Sequence, residues 1–219
     1  FGLYYNEQEG IYRIRSWHSE APEEVPHDAD AGYAAMGTYD RIDALVDVVV
    51  NTYAPLPGLS LAYAIGRLRY AVPQWRAQLK AALTRARSRL AHAQVDGVNW
   101  YWPASERPRP HAEHTAVRLL APFDPVVWDR RRFELFWGWP YRFEAYTPAA
   151  KRRFGYYALP LLWRDRVIGW TNVSMGDGIM RPECGYVSSH APKDRAFARE
   201  LDAELERFRL FLPGAAASS

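Results

Sequence analysis

Apolar and polar positions alternate at the start of the chain. Leu3-Tyr4-Tyr5 and Ile11-Tyr12-Arg13-Ile14-Arg15-Ser16-Trp17 flank Asn6-Glu7-Gln8-Glu9-Gly10, which predicts a hairpin with a loop ending in glycine. Ala21-Pro22-Glu23-Glu24-Val25-Pro26-His27-Asp28 then reads as an acidic, proline-bearing linker. From Thr38 the period lengthens. Ile42, Leu45, Val46, Val49 and Tyr53 make one apolar face, predicting a helix through Tyr53 with Thr38 as its cap and Asp40 and Asp43 near its positive end. Pro55-Leu56-Pro57-Gly58 stops it. A second helix is expected from Ser60, its cap, to Tyr70, and a third from Pro73 to about Leu90. The stripe of the third is Trp75, Leu79, Ala82, Leu83, Ala86 and Leu90.

Alternation then returns. Ala91-His92-Ala93-Gln94-Val95 and Val98-Asn99-Trp100-Tyr101-Trp102 bracket Asp96-Gly97, the strongest short hairpin signal in the chain. Three helices followed by a two-stranded hairpin predict a winged helix-turn-helix. The opening hairpin would then be the wing of a preceding copy. Pro103 to Pro110 reads as a linker. Beyond it strands are expected at 117–120, 141–147, 156–163, 166–175 and 179–187, a short helix at 129–137, and a final helix at 193–211. The last carries the stripe Phe197, Leu201, Leu205, Phe208 and Leu212. Short turns between strands predict a small antiparallel β-barrel. The expected class is α+β. Its parts are a wing hairpin and linker at 1–30, a winged-helix domain at 31–105, and a β-barrel domain with a C-terminal helix at 111–219.

Composition adds little to that class but something to the partner. The 219 residues are 48% hydrophobic and 24% charged, as in a globular chain, and no apolar run reaches the length of a membrane span. One cysteine, Cys184, excludes a disulfide framework and any multi-thiolate metal site. A start at Phe1, already inside a strand-like run, reads as a fragment of a longer frame. Net charge is +3 overall but uneven: residues 1–37 carry −5, residues 38–110 carry +5 and residues 111–219 carry +3. Of 28 basic side chains, only Lys80, Lys151 and Lys193 are lysine. Arginine's planar fork suits phosphates and base edges, although a GC-rich genome enriches arginine everywhere. The asymmetry predicts a polyanionic partner.

Two long runs are recognisable. Val117-Arg118-Leu119-Leu120-Ala121-Pro122-Phe123-Asp124-Pro125-Val126-Val127-Trp128-Asp129-Arg130-Arg131-Arg132 is one, and Tyr141-Arg142-Phe143-Glu144-Ala145-Tyr146-Thr147-Pro148 continuing to Pro160 is the other. With Val95-Asp96-Gly97-Val98-Asn99-Trp100-Tyr101-Trp102-Pro103, they make the chain similar to the C-terminal part of the AlkZ/YcaQ-type crosslink-repair DNA glycosylases. The resemblance implies tandem winged helices, a β-barrel, a basic concave DNA surface, and hydrolysis of N-glycosidic bonds to alkylated or crosslinked bases. The family's catalytic signature is a Gln, an apolar residue, then Gln or Asp, in an N-terminal winged helix. Gln94-Val95-Asp96 matches the letters but falls at the last wing, so no catalytic residue is assigned. The missing pair would position and activate water against a sugar carbon of oxocarbenium character.

Seven residues are expected to meet DNA. Arg76, Lys80 and Arg87 line one side of the third helix, with Arg85 and Arg89 on the other flank. Arg131 and Arg132 follow Trp128-Asp129. Trp128 is expected to plug the barrel end and Asp129 to cap the short helix. Lys151 and Arg152 form a basic turn with Arg153, beside Tyr156 and Tyr157. His111, Glu113 and His114 have metal-like spacing but no third ligand in view, so a solvated linker is expected. Cys184 reads as a small strand residue and Asp124 as an Asx-turn. The expectation is a DNA-binding part of a repair glycosylase, acting on double-stranded DNA as a monomer in the cytoplasm near the nucleoid, with no metal, cofactor or membrane. The alternatives are a regulatory winged-helix protein and a protein-interaction module.

Overall fold

The computed structural model describes residues 2–6, 11–15, 37–107, 115–177 and 179–211. The chain divides into two units, residues 1–44 and 45–219. In the first, β1 (Gly2–Asn6) and β2 (Ile11–Arg15) pair antiparallel, from Gly2 opposite Arg15 to Asn6 opposite Ile11. The loop between them, the acidic linker, His18, His27, His111, Glu113 and His114 lie outside the described residues.

The 3.6-residue period of the next segment yields helix α1 (Thr38–Tyr53), with Asp40 in its first turn. Thr38 is the first helical residue rather than a cap. Ile42, Val46 and Val50 are buried, and Leu45, Val49 and Tyr53 half-buried. Leu56–Pro57 forms a short strand, β3, from which α2 (Gly58–Ala71) starts directly. Ser60 is therefore not a cap. It sits inside the first turn, 6% exposed, while Pro57 at φ −60° leads into the helix.

The expected third helix is divided. Pro73–Gln78 is a 3₁₀ segment and α3 spans Leu79–Arg89. No side chain caps either piece, and the N–H of Trp75 reaches back to the Val72 carbonyl at 3.0 Å, the tighter bond of a 3₁₀ turn. β4 (Ala91–Val95) and β5 (Val98–Trp102) then pair from Ala91 opposite Trp102 to Val95 opposite Val98. Asp96 and Gly97, at φ 50° and 76°, supply the two positive values of a type I′ turn. With β3 on the other side of β5, the sheet order is β3-β5-β4. Leu61, Ala64 and Ile65 of α2 and Leu79, Ala82 and Ala86 of α3 are buried, and α2 packs on α3, β3 and β5.

Beyond the linker, β6 (Val117–Leu119), β7 (Leu159–Trp163), β8 (Arg166–Gly176) and β9 (Ile179–Tyr186) form an antiparallel sheet in that order. This corrects the expected barrel: the described strands make an open sheet with β6 and β9 at its edges. Residues 141–147, expected to be a strand, are irregular because their side chains anchor to separate places. The Tyr141 hydroxyl donates to the Ala158 carbonyl at 2.7 Å, and Glu144 Oε2 accepts from the N–H groups of Arg153 and Phe154, each at 2.8 Å. A turn from the Glu144 carbonyl to the Thr147 N–H completes the break.

Helix α4 (Arg130–Trp137) begins at Asp129, whose side chain accepts from the Arg132 N–H at 3.2 Å, and ends at Gly138 with φ 73°. Its Phe133 is buried with Trp139, Tyr141, Phe154 and Val167. Helix α5 (Arg195–Phe211) lies against β6, with Phe197 buried among Val117, Leu161 and Trp163. Buried Glu204 fixes it there. Its Oε1 accepts from the Leu119 N–H at 2.8 Å and its Oε2 from Arg207 at 2.6 Å. Leu201, Leu205 and Phe208 are half-buried along the predicted stripe, and Leu212 lies outside the described residues.

Candidate nucleic-acid interface

The hairpin turn and three helices meet around a cleft of about 520 Å³. Pro57, Gly58 and Leu59 come from the entry to α2, Gly97 from the turn of β4–β5 and Asn99 from β5, Arg87 from α3, and Arg131 from α4. Arg87 and Arg131 are exposed, and the Arg87 Nη2 donates to the Gly58 carbonyl at 3.4 Å. Arg131 and Leu59 also line a neighbouring cleft of about 570 Å³ with Ser60, Tyr63, Trp128, Asp129 and Arg130. Two expected cations far apart in sequence thus flank one groove beside the turn.

Arg132 leaves the expected set. It is 2% exposed, and its guanidinium donates through Nη1 to the Tyr53 carbonyl and through Nη2 to the Pro125 carbonyl. Burial draws its pKa below the ordinary arginine value, while the carboxylates of Asp129 and Asp124 act in the opposite direction. Trp128 is not a barrel plug. It packs edge-on to Tyr53 at 4.9 Å and tilted against Tyr63 at 6.3 Å. Asp129 caps α4, as expected, and Asp124 forms an Asx-turn, its Oδ1 accepting from the Val126 N–H at 2.8 Å.

The remaining cations are placed elsewhere. Arg76 and Lys80 are exposed, but the 3₁₀ segment turns its residues by about 120° each instead of 100°, so Arg76 departs from the single stripe an unbroken helix would give. Arg76 lines a separate cleft with Arg69, Tyr70 and Pro73. Arg89, on the opposite flank, pairs with Asp47. Lys151 ends a 3₁₀ turn at Ala149–Lys151; Arg152 follows, its Nε donating to the Thr147 carbonyl at 2.8 Å.

Sequence reasoning missed Arg67 and Arg69. Their guanidinium carbons lie 5.0 and 4.6 Å from the Tyr70 ring centre, and Arg69 donates to the Tyr70 hydroxyl at 2.8 Å. That hydrogen bond, with the charges of Arg69, Arg67 and Arg76, lowers the Tyr70 pKa. The signal was Arg67-Leu68-Arg69-Tyr70 at the end of the second helix.

Residues 12–211 match the family described as DNA glycosylase AlkZ-like. The chain belongs to that family. No solved structure matches it at a significant level. DNA is the partner of the AlkZ-like glycosylases, and the cationic groove is read in that light. Within this AlkZ-like chain, Gln94 and Asp96 are both exposed: Gln94 pairs with Asn99 across the hairpin, and Asp96 holds the first turn position. Cys184 is a half-buried strand residue, its Sγ 3.1 Å from Thr171 Oγ1. Among the described residues, no three His, Cys, Asp or Glu side chains cluster as metal ligands, and no helix is long and apolar enough to cross a membrane.

Proposed function

We propose that this chain supplies the duplex-binding part of a repair glycosylase that hydrolyses the N-glycosidic bonds of alkylated or crosslinked bases. The observation that carries the reading is the groove in which Arg87 and Arg131 flank the hairpin turn, in a member of a DNA glycosylase family. The order α1, α2, 3₁₀ segment and α3, then a hairpin with β3 added to its sheet, supports a winged helix whose wing is β4–β5. In this reading Arg76 and Lys80 extend the phosphate contacts along the third helix, and Lys151 and Arg152 add a further basic turn. Such contacts position a duplex without selecting its sequence. Water activation falls to residues outside this chain, because the only Gln-apolar-Asp run here lies in the wing.

The test is a salt titration of duplex affinity. Each neutralised phosphate contributes about −0.9 to the slope of log K against log salt, so replacing both Arg87 and Arg131 by Ala should flatten the slope by about two. The loss should be similar on unrelated sequences. A slope identical to that of the parent would remove the groove from the interface.

A further inference from the structure

A second surface, lined by other residues than the hairpin groove, is aromatic rather than merely basic. Phe143 is half-buried and serves as its hub. The rings of Phe123, Tyr157 and Tyr146 lie 5.3, 5.1 and 6.2 Å from it, all edge-on. Three of these four rings face solvent, with Phe123 70%, Tyr146 92% and Tyr157 45% exposed. Tyr156, 60% exposed and next to Tyr157 in the chain, holds the Arg152 guanidinium 4.9 Å from its ring centre. Rings of this size are normally drawn into a core, so several left bare together mark a surface that binds something.

The charges around the rings are of one sign. Residues 141–157 contain Arg142, Lys151, Arg152 and Arg153 and a single acid, Glu144. Glu144 is buried and accepts two backbone N–H groups of the same segment, so it offers no carboxylate to a partner. Asp124, next to Phe123, is engaged in its own turn. The surface therefore presents bare π-faces amid cations, with its neighbouring carboxylates occupied.

We infer that this surface binds unpaired nucleic acid, with Tyr146, Tyr156 and Phe123 as stacking platforms for bases and Arg142, Lys151 and Arg153 following the phosphates. A duplex offers groove edges and phosphates but hides its base faces within the stack, so it cannot use these rings. An unpaired strand exposes a π-face at every nucleotide, and stacking tolerates any sequence. Among the described residues of 141–157 the one carboxylate, Glu144, is buried, so this segment offers nothing for a partner's cations to pair with. The inference does not depend on the duplex reading. It adds a single-strand site to it, as would suit DNA in which paired and unpaired segments adjoin.

The experiment compares two fluorescent probes by anisotropy on the full chain: an oligothymidylate of about 12 nucleotides and a blunt duplex. The parent should bind the oligothymidylate. Tyr146→Ala combined with Phe123→Ala should weaken that binding by about tenfold or more per ring while leaving duplex affinity unchanged. Tyr146→Trp should retain it, because any flat ring serves. Tyr146 is almost wholly solvent-exposed, and an unchanged melting midpoint of each variant checks the fold. Oligothymidylate affinity unmoved by the double substitution would overturn the inference. So would an equal loss on both probes, which would make the rings part of the duplex surface. No oligothymidylate binding by the parent, with these rings instead needed for self-association or for a protein partner, would overturn it in favour of a protein interface. A parent that binds the oligothymidylate but not the duplex would sink the duplex reading and leave this one standing.

Discussion

Arg132→Ala separates a structural cation from a DNA-facing one. The parent side chain is 2% exposed and its guanidinium donates to two main-chain carbonyls, those of Tyr53 and Pro125. Hydrogen bonds from a charged donor contribute about 1.5–3 kcal/mol each, and alanine leaves both carbonyls without that partner. The expected loss is therefore about 3–6 kcal/mol, toward the upper end if the vacated space does not collapse. For a chain of this size each kcal/mol lowers the midpoint by about 2–4 °C, which places the variant roughly 6–24 °C below the parent. Arg132→Lys keeps the charge but not the fork, and should recover only part of that loss. The assay is a thermal melt followed by far-ultraviolet circular dichroism, with duplex salt titrations well below both midpoints. The salt slope should match the parent, because a buried guanidinium releases no phosphate counterion. A midpoint within about 2 °C of the parent, together with a flatter salt slope, would refute the reasoning and return Arg132 to the surface.

Three further outcomes are expected. Gly97→Val places a β-branched side chain at φ 76°, costing about 1–2 kcal/mol; it should weaken duplex binding and perturb the fluorescence of Trp100, which stacks on Phe136 at 5.1 Å. Gly169→Ala would put a Cβ 2.1 Å from the Gly185 carbonyl oxygen, where β8 and β9 approach closely, so urea melts should show a loss of about 1–3 kcal/mol. Tyr70 should ionise below the ordinary tyrosine range in an ultraviolet titration. Arg69→Gln, which removes the leading cause of that shift, should move its midpoint upward; an unmoved midpoint would place the cause elsewhere.

What could be read in advance was whatever depends on short-range geometry. Asp96-Gly97 fixes its own turn, since few other pairs accept two positive φ values, and the 3.6-residue spacing of α1 needs no knowledge of its neighbours. The strand expected at 141–147 failed for the complementary reason. Its alternating pattern is real, but Tyr141 and Glu144 answer to hydrogen-bond partners at Ala158 and at Arg153 and Phe154, which only the tertiary fold supplies. The basic run at 130–132 misled in a similar way. Successive helical residues point about 100° apart, so three arginines in a row cannot share one face, and the third is turned inward. The cleft that joins Arg87 to Arg131 has no local signature at all, because α3, the hairpin and α4 meet only in three dimensions.

The contacts that cross the 103–116 segment carry a consequence for association. Arg132 reaches the end of α1, Trp128 lies on Tyr53 and Tyr63, and Phe136 stacks on Trp100, so three tethers bridge a connection that looked like a free linker. The loop-closure entropy of that connection is met once, during folding, and does not recur when a ligand arrives. Arg87 and Arg131 consequently line one groove at a separation these contacts set. If the groove takes a duplex as proposed, loosening any one tether would trade a preorganised pair of contacts for two separate, weaker ones.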